Sequence, residues 1–360
     1  MHRHRRRSIM STQSVTLSAL AATVLLVTAA CSSSGSSSGS DASSQQIPVV
    51  SVSLPSADPL SSDVILAQQL GYFTKLNVKL DLVTTGVTGM NQVSAGRRDL
   101  ELSGTPSAFP PSAAGNATQV IYCWALGDVQ GGIAVGSNSS IKNLMGLSGK
   151  SVGVVGAGGA AYGTAKYYST YIVQHGGKPL NIITATNLTT VNAQVISGRL
   201  AASVGPLSYF QPSVSAGKMR ILLDPSSSSS QEIFGELVGN SIWGLKSAIA
   251  KNSLGIERFL AGVRAAALYI AKHTPAQIAA IIKDSPILAG QTEASIVTSL
   301  QGLKPFLGST DGTISEAQWN ASLSQFKNWG LTVNVMDPQF SYQNFVDMSY
   351  LDAAKKLPIS

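Results

Sequence analysis

The chain has 360 residues, 44% of them hydrophobic and 12% charged, and a formal net charge of +7. That composition excludes a disordered or fibrous chain and leaves length enough for two packed lobes. Two cysteines and four histidines exclude a disulfide scaffold and a Cys/His metal cluster, so neither a metal nor a cofactor is expected.

Arg3, Arg5, Arg6 and Arg7 form a basic start, and an apolar run over residues 15–30 ends in small side chains directly before Cys31. This pattern predicts an export signal. A transmembrane anchor, the alternative, needs about 20 apolar residues, more than the run supplies. Leu26-Val27-Thr28-Ala29-Ala30-Cys31 resembles the lipobox of bacterial lipoproteins, which implies cleavage before Cys31 and lipidation of it. Arg6-Arg7-Ser8-Ile9-Met10 loosely resembles a twin-arginine signal, and the export route stays open. Residues 32–46 are mostly serine and glycine, a composition that behaves as a flexible tether. Loss of the signal removes four arginines and no acids, taking the net charge to +3, which does not argue for nucleic acid.

From there the periodicity predicts strands at 49–54, 78–83, 100–103 and 119–126, with helices at 61–70, 90–95 and 106–114. The alternation implies parallel strands with helices on both faces, in which ligands sit beyond the carboxyl ends of the strands. The residues after those ends are Ser56, Asp58 and Ser61, then Thr85 and Gly86, then Ser103, Gly104 and Thr105. All are small or polar, and all are candidate ligand contacts. Cys123 lies in an apolar run and reads as a packed core thiol. Gly131-Gly132 and Gly239 are where the backbone is expected to hinge.

The pattern then repeats, with strands at 133–135, 151–155, 181–184, 201–204 and 219–223 and helices at 161–174, 191–197 and 207–216. Strand 151–155 runs into Gly156, Gly158 and Gly159 and then a helix. Three readings compete for that turn. A P-loop is excluded, because Gly149-Lys150-Ser151 precedes the strand and Leu144 stands where the first glycine belongs. A dinucleotide fingerprint survives only as Gly156-x-Gly158-x-x-Ala161, without the acidic residue expected about 20 positions on. What remains is a packing turn or an anion-binding loop built from helix N–H groups, with Gly158, Gly159, Ala160 and Tyr162 as candidates. Pro206 and Tyr209 follow the strand at 201–204 and complete the candidate set. Between Asp128 and Asp224 there is no acid, whereas Lys142, Lys150, Lys166, Lys178, Arg199, Lys218 and Arg220 lie there. Those seven read either as a solvated surface or as a field favouring an anionic ligand.

Asp63-x-x-x-Ala67-x-x-x-Gly71-Tyr72-Phe73 with Asn77-Val78, Val93-Ser94-Ala95-Gly96-Arg97-Arg98-Asp99-Leu100, Leu147-x-Gly149-Lys150-Ser151-Val152-Gly153-Val154 and Phe345-Val346-Asp347-Met348-Ser349-Tyr350-Leu351 together resemble the solute-binding proteins of ABC importers. The subgroup resembled handles nitrate, taurine, aliphatic sulfonates and thiamine pyrimidine precursors. The resemblance implies an α/β, bilobal type II periplasmic-binding-protein fold: two doubly wound lobes joined by two crossover strands, near 129–135 and 237–245, with the helices from Ile256 onward returning to the first lobe. Its organisation would be a signal peptide over 1–30, a tether over 31–46, the first part of lobe I over 47–131, lobe II over 132–236, and the second crossover with the return to lobe I over 237–360. Where the family commonly carries Asp-Ala and then Trp-Glu-Pro, this chain has Ala201-Ala202 and then Val204-Gly205-Pro206, so the ligand does not carry over with the fold.

The function implied is capture of a small, anionic organic solute by a monomeric lipoprotein at the outer face of a bacterial membrane, and its delivery to an ABC permease and its ATPase. A neutral or zwitterionic heterocycle held by Asp58 is the alternative ligand. An enzyme on the same fold is the alternative class, disfavoured by the shortage of nucleophiles and bases, and no catalytic residue is assigned.

Overall fold

The computed structural model describes residues 46–359 apart from 55, 56, 58, 86, 87, 157–159, 228, 229, 231, 232 and 235. The expected signal, Cys31 and the tether lie outside the described residues, as do Ser56, Asp58, Gly86, Gly158 and Gly159. Among the described residues no helix is long and apolar enough to cross a membrane.

Among the described residues, ten strands form two five-stranded sheets. In the first, β1 (Val49–Leu54), β2 (Lys79–Thr84) and β3 (Leu100–Gly104) run parallel, with β1 between the other two. In the second, β6 (Ser151–Val155), β7 (Asn181–Ala185) and β8 (Ala202–Gly205) repeat that arrangement. Each sheet is then completed by a strand from the far side of a lobe crossing. β10 (Val238–Leu245) lies antiparallel between β3 and β4 (Thr118–Leu126), and β5 (Gly132–Gly136) lies antiparallel between β8 and β9 (Met219–Leu223). The two lobes therefore share one strand order, and both sheets are mixed where alternation alone predicts parallel ones.

Why the first sheet forms is visible in its strands. Val50, Val52 and Leu54 of β1 and Leu100 and Leu102 of β3 alternate with polar residues, and all five pack in one core with helix α1 (Ser62–Gln69) and the helices Ser253–Lys272 and Glu293–Leu307. β4 is covered on both faces, so its nine residues are an almost unbroken buried run. In the second lobe α5 (Ala160–Gln174) buries Ala161, Ala165, Tyr168 and Ile172, one stripe at helical spacing.

The crossings are tighter than the sequence suggests. β10, expected to cross between lobes, pairs with the first sheet from Val238 at one end to Leu245 at the other. The chain instead crosses between β4 and β5 and between β9 and β10, and the two crossings meet where Gly127, with φ +78°, donates its N–H to the Leu237 carbonyl at 2.7 Å. Beside it, a Cβ at Gly239 would sit 1.8 Å from the Gly127 carbonyl oxygen, so only glycine fits. Gly132 is no free hinge: it is a ladder residue of β5, and a Cβ there would lie 2.4 Å from the Gly205 oxygen.

A third connection joins the lobes. The helices beyond Ile256 do return to the first lobe as far as Leu307. The stretch from Ile314 to Val346, however, packs in a core that holds Phe109 and Val120 of the first lobe together with Val152 and Tyr168 of the second. Phe326 meets Phe109 at 5.7 Å and Trp329 at 5.1 Å between ring centroids, and Trp329 meets Tyr167 of α5 at 6.2 Å. The Thr170 hydroxyl of α5 donates to the Asn328 carbonyl at 3.3 Å. Aromatic area makes most of this link, with one backbone bridge pairing Val346 to Val120 on the first-lobe side.

Candidate functional site

The carboxyl edges of the two sheets face each other. A Cβ at Gly104, the last residue of β3, would lie 3.2 Å from the Ala160 Cβ at the start of α5, and one at Gly302 would lie 3.2 Å from Leu207. Across the cleft the lobes thus approach at these positions, with space left beside them. A cavity of about 470 Å³ is lined from the first lobe by Pro59, Gln291, Ser295, Thr298 and neighbours, and from the second by Ser208, Tyr209, Gln211, Ser215 and neighbours. Its volume suits a small organic molecule. No described lining residue carries a charge, and the Ser208 hydroxyl is enclosed without a partner.

Of the candidates read from the sequence, Thr85, Ser103, Gly104 and Thr105 gather at the edge of the first sheet, and Ala160 faces them. Thr85 is half-buried, with its hydroxyl 3.4 Å from the Leu54 carbonyl. The Ser103 hydroxyl accepts the Trp243 indole N–H at 2.9 Å, and the Thr105 hydroxyl is buried with no partner. Ser61 is wholly enclosed in the turn before α1. Tyr162 lies under the Lys166 ammonium, 5.5 Å from its ring centre. Pro206 is buried at the head of the turn Leu207–Tyr209, and Tyr209 lines the cavity.

Three groups went unread in the sequence. Ser295, Thr298 and Ser299 form a hydroxyl stripe at i, i+3 and i+4 of one helix, a signal that was available. Glu101 sits on β3 at 5% exposure, and burial pushes its carboxyl up to about 8, with the Ser103 hydroxyl partly offsetting the rise. Asp128, at the crossing, accepts the Thr164 hydroxyl at 2.6 Å and the Gln130 N–H at 2.9 Å, yet burial still pushes it up to about 7.

The seven bases of the second lobe do not converge on the cavity. Lys142, Lys150, Lys178, Arg199 and Lys218 are exposed on the outside, while Arg220 donates to the Ser139 and Ile141 carbonyls. A charge sum shows the sign of a lobe but not the direction its side chains take.

A family model described as NMT1/THI5 like matches residues 59–277, more than half of the chain. The chain belongs to the NMT1/THI5-like family. No curated protein sequence matches it significantly. Among solved structures, the periplasmic aliphatic sulphonate binding protein SsuA of Escherichia coli superposes with TM-score 0.63 at 18% identity, covering 84% of this chain and 99% of that one. The periplasmic nitrate-binding protein NrtA of Synechocystis PCC 6803 gives 0.65 at 11% identity, covering 88% and 90%. The ligand binding component of an ABC-type import system from Staphylococcus aureus, with zinc bound, gives 0.67 at 13% identity, covering 87% and 100%. At such identities the likeness is one of fold, and the two-lobed α/β architecture is that of periplasmic binding proteins.

Proposed function

We propose that this protein is the exported solute-binding component of an ABC importer. In this reading it is anchored outside the membrane through lipidated Cys31, holds one small organic solute between its lobes and passes it to a permease. The observation that carries the reading is the cavity of about 470 Å³ walled by both lobes at the carboxyl edges of their sheets, where open α/β sheets bind ligands. An anionic head group of sulfonate, nitrate or carboxylate type is received at the start of α5, within the stretch that holds no acid between Asp128 and Asp224, because the first-turn N–H groups of a helix and its dipole favour an anion. Tyr209 and the hydroxyls opposite it hold the organic body.

The reactive groups support binding over catalysis. The Cys123 thiol is fully buried, and burial pushes it up to about 12. The rings of His175 and His273 lie stacked on Tyr171 and Tyr269, each with Nδ1 2.8 Å from that tyrosine's carbonyl oxygen.

A thermal-shift panel of sulfonates, nitrate, carboxylates and aminated heterocycles tests the reading. A true solute at 100 times its Kd adds about 2.7 kcal/mol of stability; a panel in which nothing stabilises the protein contradicts it. For the anchor, Cys31→Ala is expected to abolish lipid labelling and cleavage before residue 31. A variant that stays membrane-bound and is cut at the same place contradicts lipidation.

A further inference from the structure

One face of the first sheet has more hydrogen-bonding capacity than its own residues use. The register sets Ser53 of β1 beside Glu101 of β3, Glu101 beside Trp243 of β10, and Ser103 beside Ser241. Side chains at these positions share a face, opposite the core of Val52, Leu102 and Ile242. On it, the hydroxyls of Ser53 and Ser241, Oε2 of Glu101 and, just past the strand end, the Thr105 hydroxyl are all buried with no partner. An unsatisfied buried polar group is costly, and four side by side point to a partner that arrives from outside.

The geometry says where that partner enters. A Cβ at Gly89 would lie 3.0 Å from the Glu101 carboxyl carbon and 2.6 Å from the Thr85 hydroxyl. Thr85 and Glu101 therefore meet across a backbone position left bare, immediately after β2 and at the cleft edge. Thr85 is half-buried where Gly89, the first residue of a short helix, packs over the Glu101 carboxyl, so the patch comes nearest the surface on that side. Among the described residues no lysine or arginine pairs with Glu101.

We propose that Glu101 is a ligand-binding residue, and that it accepts an N–H donor of the solute, an ammonium, amidinium or ring amino group, with Ser53, Thr85 and Ser241 beside it. The inference rests on the reading of the interlobe cleft as a solute site and narrows it: the solute carries a donor end that enters the first lobe. Burial holds the Glu101 carboxyl protonated at neutral pH; a cationic donor arriving beside it ionises it, and an ionised carboxylate has only acceptor capacity, which an aminated group completes without a protein cation. A trapped water is the rival occupant.

Two arms test this. In the first, wild-type protein, Glu101→Gln and Gly89→Ala are titrated calorimetrically with taurine and with isethionate, which differ only in amine against hydroxyl. In the second, difference infrared spectra of wild type and Glu101→Gln are recorded with acetamidinium chloride against sodium chloride, reading the Glu101 carboxyl band itself. The expected result is at least tenfold tighter binding of taurine than isethionate by wild type, a preference erased in both variants, and a saturable acetamidinium response of the Glu101 band that Glu101→Gln lacks. Equal binding of the two sulfonates, or a preference that survives in Glu101→Gln, overturns the role of Glu101 while the solute-binding reading stands. If neither sulfonate binds, the infrared arm decides: a band that acetamidinium leaves unchanged overturns the proposal and assigns the patch to water. A band that responds keeps it, even if the solute panel as a whole fails and takes the importer reading with it.

Discussion

The two sheets have the same strand order, three parallel strands plus an inserted antiparallel one and an edge strand, yet they handle charge in opposite ways. The first lobe buries acids: Asp63 under its sheet at 1% exposure and Glu101 on it, with Asp128 where the chain leaves. The second has no acid between Asp128 and Asp224 and spreads bases over its outer surface. One backbone plan thus buries acids in one lobe and turns bases outward on the other. Topology positions the edges, and side-chain placement gives each edge its chemistry.

The comparison predicts its largest effect in the response to pH. Burial pushes Asp63 up to about 7, Glu101 to about 8 and Asp128 to about 7. Each folded-state pKa lies above the unfolded value of about 4, so the folded protein keeps protons that the unfolded chain has released. The resulting stability is fully present below about pH 4 and is lost as pH rises toward 7 to 8, at up to about 1.4 kcal/mol per pH unit for each group. Urea unfolding at pH 5, 6.5 and 8 is expected to show stability falling with pH, and a flatter dependence in Asp63→Asn and Asp128→Asn. Stability that rises over this window breaks the contrast between the lobes.

A smaller effect sharpens how the lobes are held. Trp329 is 2% exposed, and a Cβ at Gly163 of α5 would lie 3.0 Å from its ring. Trp329→Ala is expected to cost about 3–5 kcal/mol and to loosen the second lobe first, seen as earlier hydrogen exchange in α5 than in β1 and β3. Uniform loss of protection in both lobes denies the third connection.

Local rules made the strands legible. Valine and leucine alternation bounded by glycine, proline and serine marks β1 to β9 to within about two residues, because the signal lies inside each segment. The insertion of β10 between β3 and β4 was not legible, because nothing in Val238–Leu245 names its neighbours. The same limit hid the link through Phe326 and Trp329, whose partners Phe109 and Tyr167 are far away in sequence. At the site, Tyr209 was legible as an aromatic just past a strand end. Glu101 was not, since an acid alternating with Leu100 and Leu102 reads as facing water. Helix α3 (Gly89–Ser94) instead covers that face, with Gly89 against the carboxyl.

The central claim is that one solute is held between the lobes and draws them together. Thr84, the last residue of β2, and Thr186, just past β7, are both exposed at facing carboxyl edges, and Cys123 is fully enclosed. Thr84→Cys with Thr186→Cys therefore takes two spin labels without interference from Cys123. Pulsed electron–electron double resonance, with and without the most stabilising solute of the panel, measures the distance across the cleft. Hinge closure predicts a broad, longer distribution without solute and a single shorter distance at saturation. Identical distributions at saturation would contradict the account.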